Sequence, residues 1–303
     1  MNTRSTSLNL KKIVAGAQLP ALPQSAIRLL ELFQDPANGP AEFATPVESD
    51  PGLTGQVLRF VNSSYFGFSK EISSVKLAIT LVGIRTIKNF ALWSAVFSLM
   101  PNPRCGPFDL KGLWQDSLRR ALFARALAGR LAIREPDEPF AAALLQDMAI
   151  PLLAKEAPEL YTKLLDARDQ GKIRLSFLEE KVFGWTHADA AGYMARQWNL
   201  PDEFATLLEH HQAVDRFAAE PMREPGKLAV AMSALLPTIA DPLWHECGLL
   251  DRYYQTVAAG APSLLELLAQ VDREFSEFAP VVKLSTPSKS LVDSFQEMAA
   301  AAI

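Results

Sequence analysis

Residues Ala141 to Leu153 read AAALLQDMAIPLL, an apolar run with one polar pair, Gln146-Asp147, near its middle. A carboxylate in such a run needs a cation, a metal or a proton, because burying it alone is costly. Pro151, four residues after Asp147, lacks the amide that would bond back to the Asp147 carbonyl, which predicts a distorted helix beside the pair. Metal-dependent hydrolysis needs several imidazoles or carboxylates converging on one or two ions. The chain has four histidines: His187 in GWTHADAAGYMARQW, His210-His211 in LLEHHQ, and His245, isolated in LWHEC. Asp116, in LWQDSLRRALFARALA, is the other notable carboxylate. Asp116, Asp147, His187 and one of the His210-His211 pair form a set able to converge on an ion. Adjacent side chains on a helix diverge by about 100°, so the two neighbouring histidines cannot serve one site equally. The preferred reading of Gln146 and Asp147 is different. With His187 they would hydrogen-bond to each other or to helix ends, a closed network that fixes helix registry without catalysis. His210 and His211 suit a solvated position or a helix C-terminal cap equally well.

Other features carry less chemistry. Arg119-Arg120 could bind a phosphate, but a solvated helix face is the better expectation. Trp114, Trp185 and Trp198 read as packing residues. Asn62-Ser63-Ser64-Tyr65-Phe66-Gly67 has the character of a helix-terminal turn, either a binding loop or simple turn chemistry. There is no glycine-rich phosphate loop and no inferable Ser-His-Asp arrangement.

The elements that must position these residues are helical. Apolar residues recur at spacings of three and four, and few segments alternate with period two. Gln24 to Phe33 makes one apolar face; Asp50-Pro51 caps and opens a helix ending near Asn62. Ser73 or Ser74 starts the next, and Gly83 separates it from a helix over Thr86 to Met100. Pro101 to Pro107, PNPRCGP, interrupts the helices. Beyond it come helices at Leu113 to Leu131, Phe140 to Leu153, Ser176 to Phe183 and Ala188 to Gln197, and one opened by Pro201. Further helices are expected at Leu228 to Leu236, Leu264 to Val271 and Leu291 to Met298, with a loop at Pro280 to Ser290. Among 303 residues, 49% are apolar and 21% charged, with a formal net charge of -4, and no arm or stripe gathers Lys and Arg. Disorder is excluded as a description of the chain, and steering to nucleic acid has little support. Cys105 and Cys247 show no metal spacing. The opening MNTRSTSLNLKK leads into no signal-like core, and no apolar stretch is long enough to span a bilayer, so a cytoplasmic protein is expected.

An ordered series of blocks then identifies a family likeness. These are LPALPQSAIRLLEL (Leu19 to Leu32), ESDPGLTGQVLRFVNSSYFG (Glu48 to Gly67) and ISSVKLAITLVGIRTIKNFAL (Ile72 to Leu92). LWQDSLRRALFARALA, FAAALLQDMAIPLL and the stretch from Gly184 to His211 follow. Over Gln18 to His211 the chain resembles the HDOD domain, a non-catalytic relative of the HD-domain phosphohydrolases and HD-GYP phosphodiesterases of bacterial signalling. In the catalytic relatives a His-Asp doublet closes an apolar helix and supplies metal ligands; here it is Gln146-Asp147. Asp116 stands where those relatives carry an earlier histidine, while His187 and the His210-His211 pair match later ones. The resemblance therefore implies a decayed metal site, with Asp147, His187, His210, His211 and Asp116 as its remnant.

The expected architecture is all-α: an N-terminal helical bundle packed on a degenerate HD-like bundle, with additional C-terminal helices. The expected divisions are a tail at 1–17, a helical subdomain at 18–105, the HD-like part at 106–215 and an extension at 216–303. The resemblance implies a non-enzymatic regulatory module that contacts signalling or regulatory proteins. No cofactor is expected, and weak binding of a divalent metal is left open. The alternative is a residual metal-dependent phosphohydrolase acting on a nucleotide or cyclic dinucleotide.

Overall fold

Asp50 sets the first well-defined helix start: its carboxylate accepts the Leu53 amide at 3.0 Å, just ahead of Pro51. The computed structural model describes residues 19–33, 35, 37–260 and 262–301, and all their regular structure is helical. The tail expected at 1–17 lies outside the described residues. The N-terminal helices are α1 (Gln24–Leu32), α2 (Pro40–Glu48), α3 (Pro51–Val61), α4 (Val75–Val82) and α5 (Ile84–Leu99). Ser74 caps α4, and Gly83, at φ +93°, makes the corner into α5. Past α3, Asn62 grips the backbone of Ile72 from both sides. Its oxygen accepts the Ile72 amide at 2.7 Å, and its nitrogen donates to the Ile72 carbonyl at 2.7 Å. Phe66 packs edge-on to Phe60, and Tyr65 edge-on to Phe278. The Asn62–Gly67 turn is thus occupied with structural work.

The second group is α6 (Leu110–Arg130), α7 (Asp137–Leu145), α8 (Ile150–Glu156), α9 (Pro158–Asp166), α10 (Leu175–Phe183), α11 (His187–Gln197) and α12 (Asp202–Glu209). The axis of the molecule is α6, buried along most of its length from Gly112 to Ala128. The single helix expected over Phe140 to Leu153 is in fact two, α7 and α8, joined by a turn at residues 146–149. Because Pro151 has no amide, the Asp147 carbonyl is taken by the Ile150 amide at 3.0 Å; just before it, the Leu145 carbonyl accepts the Met148 amide at 3.0 Å. Pro151 sits in the first turn of α8, and Asp147 is presented from a turn rather than from a helix face.

The C-terminal part contributes α13 (Val214–Ala218), α14 (Pro225–Ser233), α15 (Cys247–Val257), α16 (Leu264–Phe278), a 3-10 turn at Ala279–Val282 and α17 (Leu291–Ala301). Both α14 and α16 pack on α6. A capping box between Ser263 and Glu266 starts α16, which runs past the expected end at Val271 to Phe278. Phe278 reaches all three parts of the chain that meet here, with ring centroids 5.1 Å from Phe60, 5.7 Å from Tyr65 and 6.3 Å from Phe140. Trp114 is buried, Trp185 stacks on Phe183, and the Trp198 indole donates to the Pro20 carbonyl at 3.0 Å, so these rings pack as expected. Among the described residues no helix is long and apolar enough to cross a membrane.

Candidate functional site

Asp147, on the turn between α7 and α8, meets His187 at the start of α11 and His211 just after α12. One ligand atom from each lies within 4.8 Å of the others, and all three residues are buried. His187 Nε2 stands 3.3 Å from Asp147 Oδ1 and 3.3 Å from His211 Nε2, while His211 Nε2 stands 3.6 Å from Asp147 Oδ1. Each imidazole is oriented from behind. His187 Nδ1 bonds Glu179 Oε2 at 2.6 Å, and His211 Nδ1 donates to the Leu208 carbonyl at 2.7 Å. Glu179, on α10, is wholly buried. It also accepts the His187 amide at 2.8 Å and the Tyr161 hydroxyl at 2.7 Å.

The other oxygen of Asp147 is ion-paired with Arg120 of α6. Burial opposes ionisation of Asp147, but the Arg120 guanidinium and the hydrogen-bonded, charged His187 outweigh it and hold the carboxyl well below its usual range. Burial likewise works against a charged His187. Glu179 and Asp147, one on each nitrogen, prevail and push it up to about 10. Burial dominates at His211, pulled down to about 3, so it stays neutral and offers its Nε2 lone pair to the His187 proton. The result is a closed set of two carboxylates, one guanidinium and one imidazolium. Burial also pushes Asp116 up to about 7, against the pull of Arg120 and a hydrogen bond from the Ile239 amide at 2.8 Å.

The expected residues thus part company. Asp147, His187 and His211 converge. His210 sends its Nδ1 to the Thr206 carbonyl at 3.0 Å and sets its ring edge-on to Phe217. Asp116 lines a cleft with Asp147 and His187 but is engaged by the Ile239 amide. Gln146 is wholly buried, bonding Ser233 at 3.4 Å through its oxygen and leaving its nitrogen without a partner. His245 is exposed. The solvated face expected for Arg119-Arg120 is overturned, since both are buried. Arg119 donates to the Lys289 carbonyl and lies over the Phe275 ring, because α16 and the segment before α17 cover that side of α6.

Glu179 is a member of the site that the reading by residue type did not name, and Arg120 one that it set on a solvated face. Arg120 stands one turn after Asp116, so the two share a face of α6. Glu179 shares a face of α10 with Ser176 and Phe183, all three buried. Two imidazoles with anchored Nδ1 atoms and one carboxylate are a plausible donor set for a divalent ion. A guanidinium already on the carboxylate is not. Like charges about 4 Å apart cost about 4 kcal/mol per unit pair at an effective dielectric of about 20. The residues present fit a proton and an arginine better than a tightly held metal.

This protonation pattern makes stability depend on pH. His187 titrates near 6.5 when unfolded and about 10 when folded, so its contribution is fully present below about pH 6.5 and is lost as pH rises towards 10. Lys88, pulled by burial to about 8, acts in the opposite sense in part of that window. The informative measurement is therefore the difference between the wild type and His187→Gln in urea unfolding at about pH 6.5 and 9.5. The wild-type advantage is expected to shrink with rising pH, and a constant difference would show that His187 is neutral in the fold.

A family model described as the HDOD domain matches residues 19–214. The chain is 22% identical over 196 residues to an uncharacterised protein of Treponema pallidum, a match covering 64% of this chain and 37% of that relative. The chain therefore spans little more than a third of that relative's length. Its fold is similar to an HDOD domain protein of unknown function from Geobacter sulfurreducens, with TM-score 0.69, 21% identity, and 90% of this chain and 96% of that one covered. It is also similar to a Shewanella amazonensis protein provisionally named a phosphohydrolase, with TM-score 0.65, 20% identity, and 94% and 100% covered. At such identities the two structures speak for the fold alone.

Proposed function

The chain belongs to the HDOD domain family, and from that premise we propose that it is a non-catalytic regulatory module of bacterial signal transduction that works through protein contacts. The observation that carries this reading is the Arg120–Asp147 pair. The carboxylate that an HD-type enzyme would spend on a metal is neutralised from within, and His187 holds a proton between two carboxylates. A site of this kind keeps the helices α6, α10 and α11 in register without turning over a substrate. Contacts with a partner would be sought at the large apolar side chains left exposed, Leu77 and Leu81 one turn apart on α4 and Phe177 and Val182 on α10.

A specific observation favours the alternative, a residual metal-dependent phosphohydrolase: three donors still converge, with both imidazoles anchored. One experiment separates the readings. The purified protein is incubated with Mn, Fe or Ni, its metal content is measured, and hydrolysis of nucleotides and cyclic dinucleotides is followed beside Asp147→Ala. The proposed reading expects sub-stoichiometric metal and no turnover. Turnover present in the wild type and lost in Asp147→Ala overturns it.

A further inference from the structure

Above Asp147 opens a cleft with a cavity volume of about 320 Å³. Asp116 and Arg120 of α6 form part of its floor, Arg168 and Arg174 stand on one wall, and residues 234–246 form its roof. That roof is a strap from the part of the chain beyond the residues matched to the family, 19–214. Leu235, Leu236 and Trp244 anchor it in the core, and between and beside them polar contacts tie it to the cleft. Arg168 Nη2 donates to Asp241 Oδ2 at 2.7 Å, Arg174 Nε pairs with Glu246, and the Ile239 amide donates to Asp116 at 2.8 Å. Gly171 is shaped for this closure. Its φ is +97°, and a Cβ there would stand 2.7 Å from the Asp241 carboxyl carbon, so only glycine lets Asp241 come in beside Arg168.

The closed arrangement leaves donors idle. Arg120 Nε, Arg168 Nε and Thr238 Oγ1 are buried and have no partner, although a guanidinium carries five N–H groups and is built to grip an oxyanion in a fork. Asp241 and Glu246 thus sit where the oxygens of a small anion would sit, each using only part of its arginine. We propose that this cleft is a receptor site for a small oxyanion, held by Arg120, Arg168 and Arg174 in competition with the strap carboxylates Asp241 and Glu246. Binding swaps strap oxygens for ligand oxygens and loosens residues 237–243, between the buried Leu236 and Trp244, which makes this stretch the element whose position reports the ligand. The proposal rests on the non-catalytic reading to the extent that the anion leaves unchanged.

The test uses inorganic pyrophosphate and citrate as probes on the full chain, with binding followed by calorimetry in EDTA. Phosphorus NMR on the pyrophosphate samples, repeated with Mg, reports hydrolysis. Saturable binding of at least one probe is expected, weakened about tenfold or more in Arg168→Gln. Asp241→Asn is expected to bind about three- to tenfold more tightly, because the competitor has lost its charge; Glu246→Gln is the second variant should Asp241→Asn fail to fold. Pyrophosphate alone binding marks a phosphoryl ligand, and citrate alone a carboxylate. Absence of saturable binding, or affinity unchanged or weaker in both strap variants, overturns the proposal and leaves the non-catalytic reading intact. Orthophosphate appearing with Mg overturns the non-catalytic reading and leaves the anion site standing.

Discussion

Arg120→Met is expected to cost about 3–5 kcal/mol of folding stability, because it leaves the buried carboxylate of Asp147 without its fixed cation. For a chain of this size that lowers Tm by roughly 5–15 °C. The same substitution should create an affinity the wild type lacks. With the guanidinium gone, Asp147, His187 and His211 present two nitrogens and an oxygen to a metal that has only the His187 proton to displace. Zn or Mn is therefore expected to raise the Tm of Arg120→Met while leaving the wild type nearly unmoved, by the ordinary linkage of ligand binding to stability. The double variant Arg120→Met/Asp147→Leu should recover much of the loss, since replacing both members of a buried pair by apolar groups is far cheaper than orphaning one. Urea unfolding gives the three stabilities, and thermal melts with and without metal give the rest. A wild type stabilised by metal as much as the variant would mean that Arg120 is not the resident counterion.

Glu179→Gln carries the second large effect, a loss of about 2–4 kcal/mol. The amide is nearly isosteric, so packing is kept and the charge alone is removed. Glu179 is the strongest influence raising His187, which stands at about 10 in the fold. Without it the His187 proton should leave at a much lower pH, and the stability tied to that proton should be lost earlier on the alkaline side. Tyr161→Phe is the matched control. It removes only the hydroxyl bonded to Glu179 and should cost about 1 kcal/mol without comparable movement of His187. Histidine ring resonances followed by NMR across pH read this directly. A His187 titration unchanged in Glu179→Gln would show that Asp147 alone keeps the ring charged.

Much of the helical order is legible from the chain because caps, prolines and apolar spacing act locally. Asp50-Pro51, Ser74 and Gly83 each mark a boundary that the fold respects. Helices α2, α9 and α15 escaped that reading, α2 with Pro46 inside it. Their pattern is short, and tertiary contact decides them. The split at residues 146–149 was half visible: Pro151 announced a disturbance, but only the exchange of its missing amide for that of Ile150 shows a full break. At the site, Asp147 and His187 could be named from residue type, and so could the choice between His210 and His211, although not its outcome. Charge was the obscure part. Arginines on a helix look solvated until something covers them, and what covers Arg119 lies some 170 positions along the chain. No local pattern carries that information.

Phe278 gives the architecture a collective property. One ring touches Phe60, Tyr65 and Phe140, and so joins α3 and the turn after it, α7, and the end of α16 in a single contact. Segments bound through a common side chain do not melt on separate schedules, because opening any one strips the others of the same buried surface. The chain should accordingly lose its helices in one transition, with the calorimetric and van't Hoff enthalpies in agreement. A change felt at the strap would then be a change in the whole molecule's readiness to open.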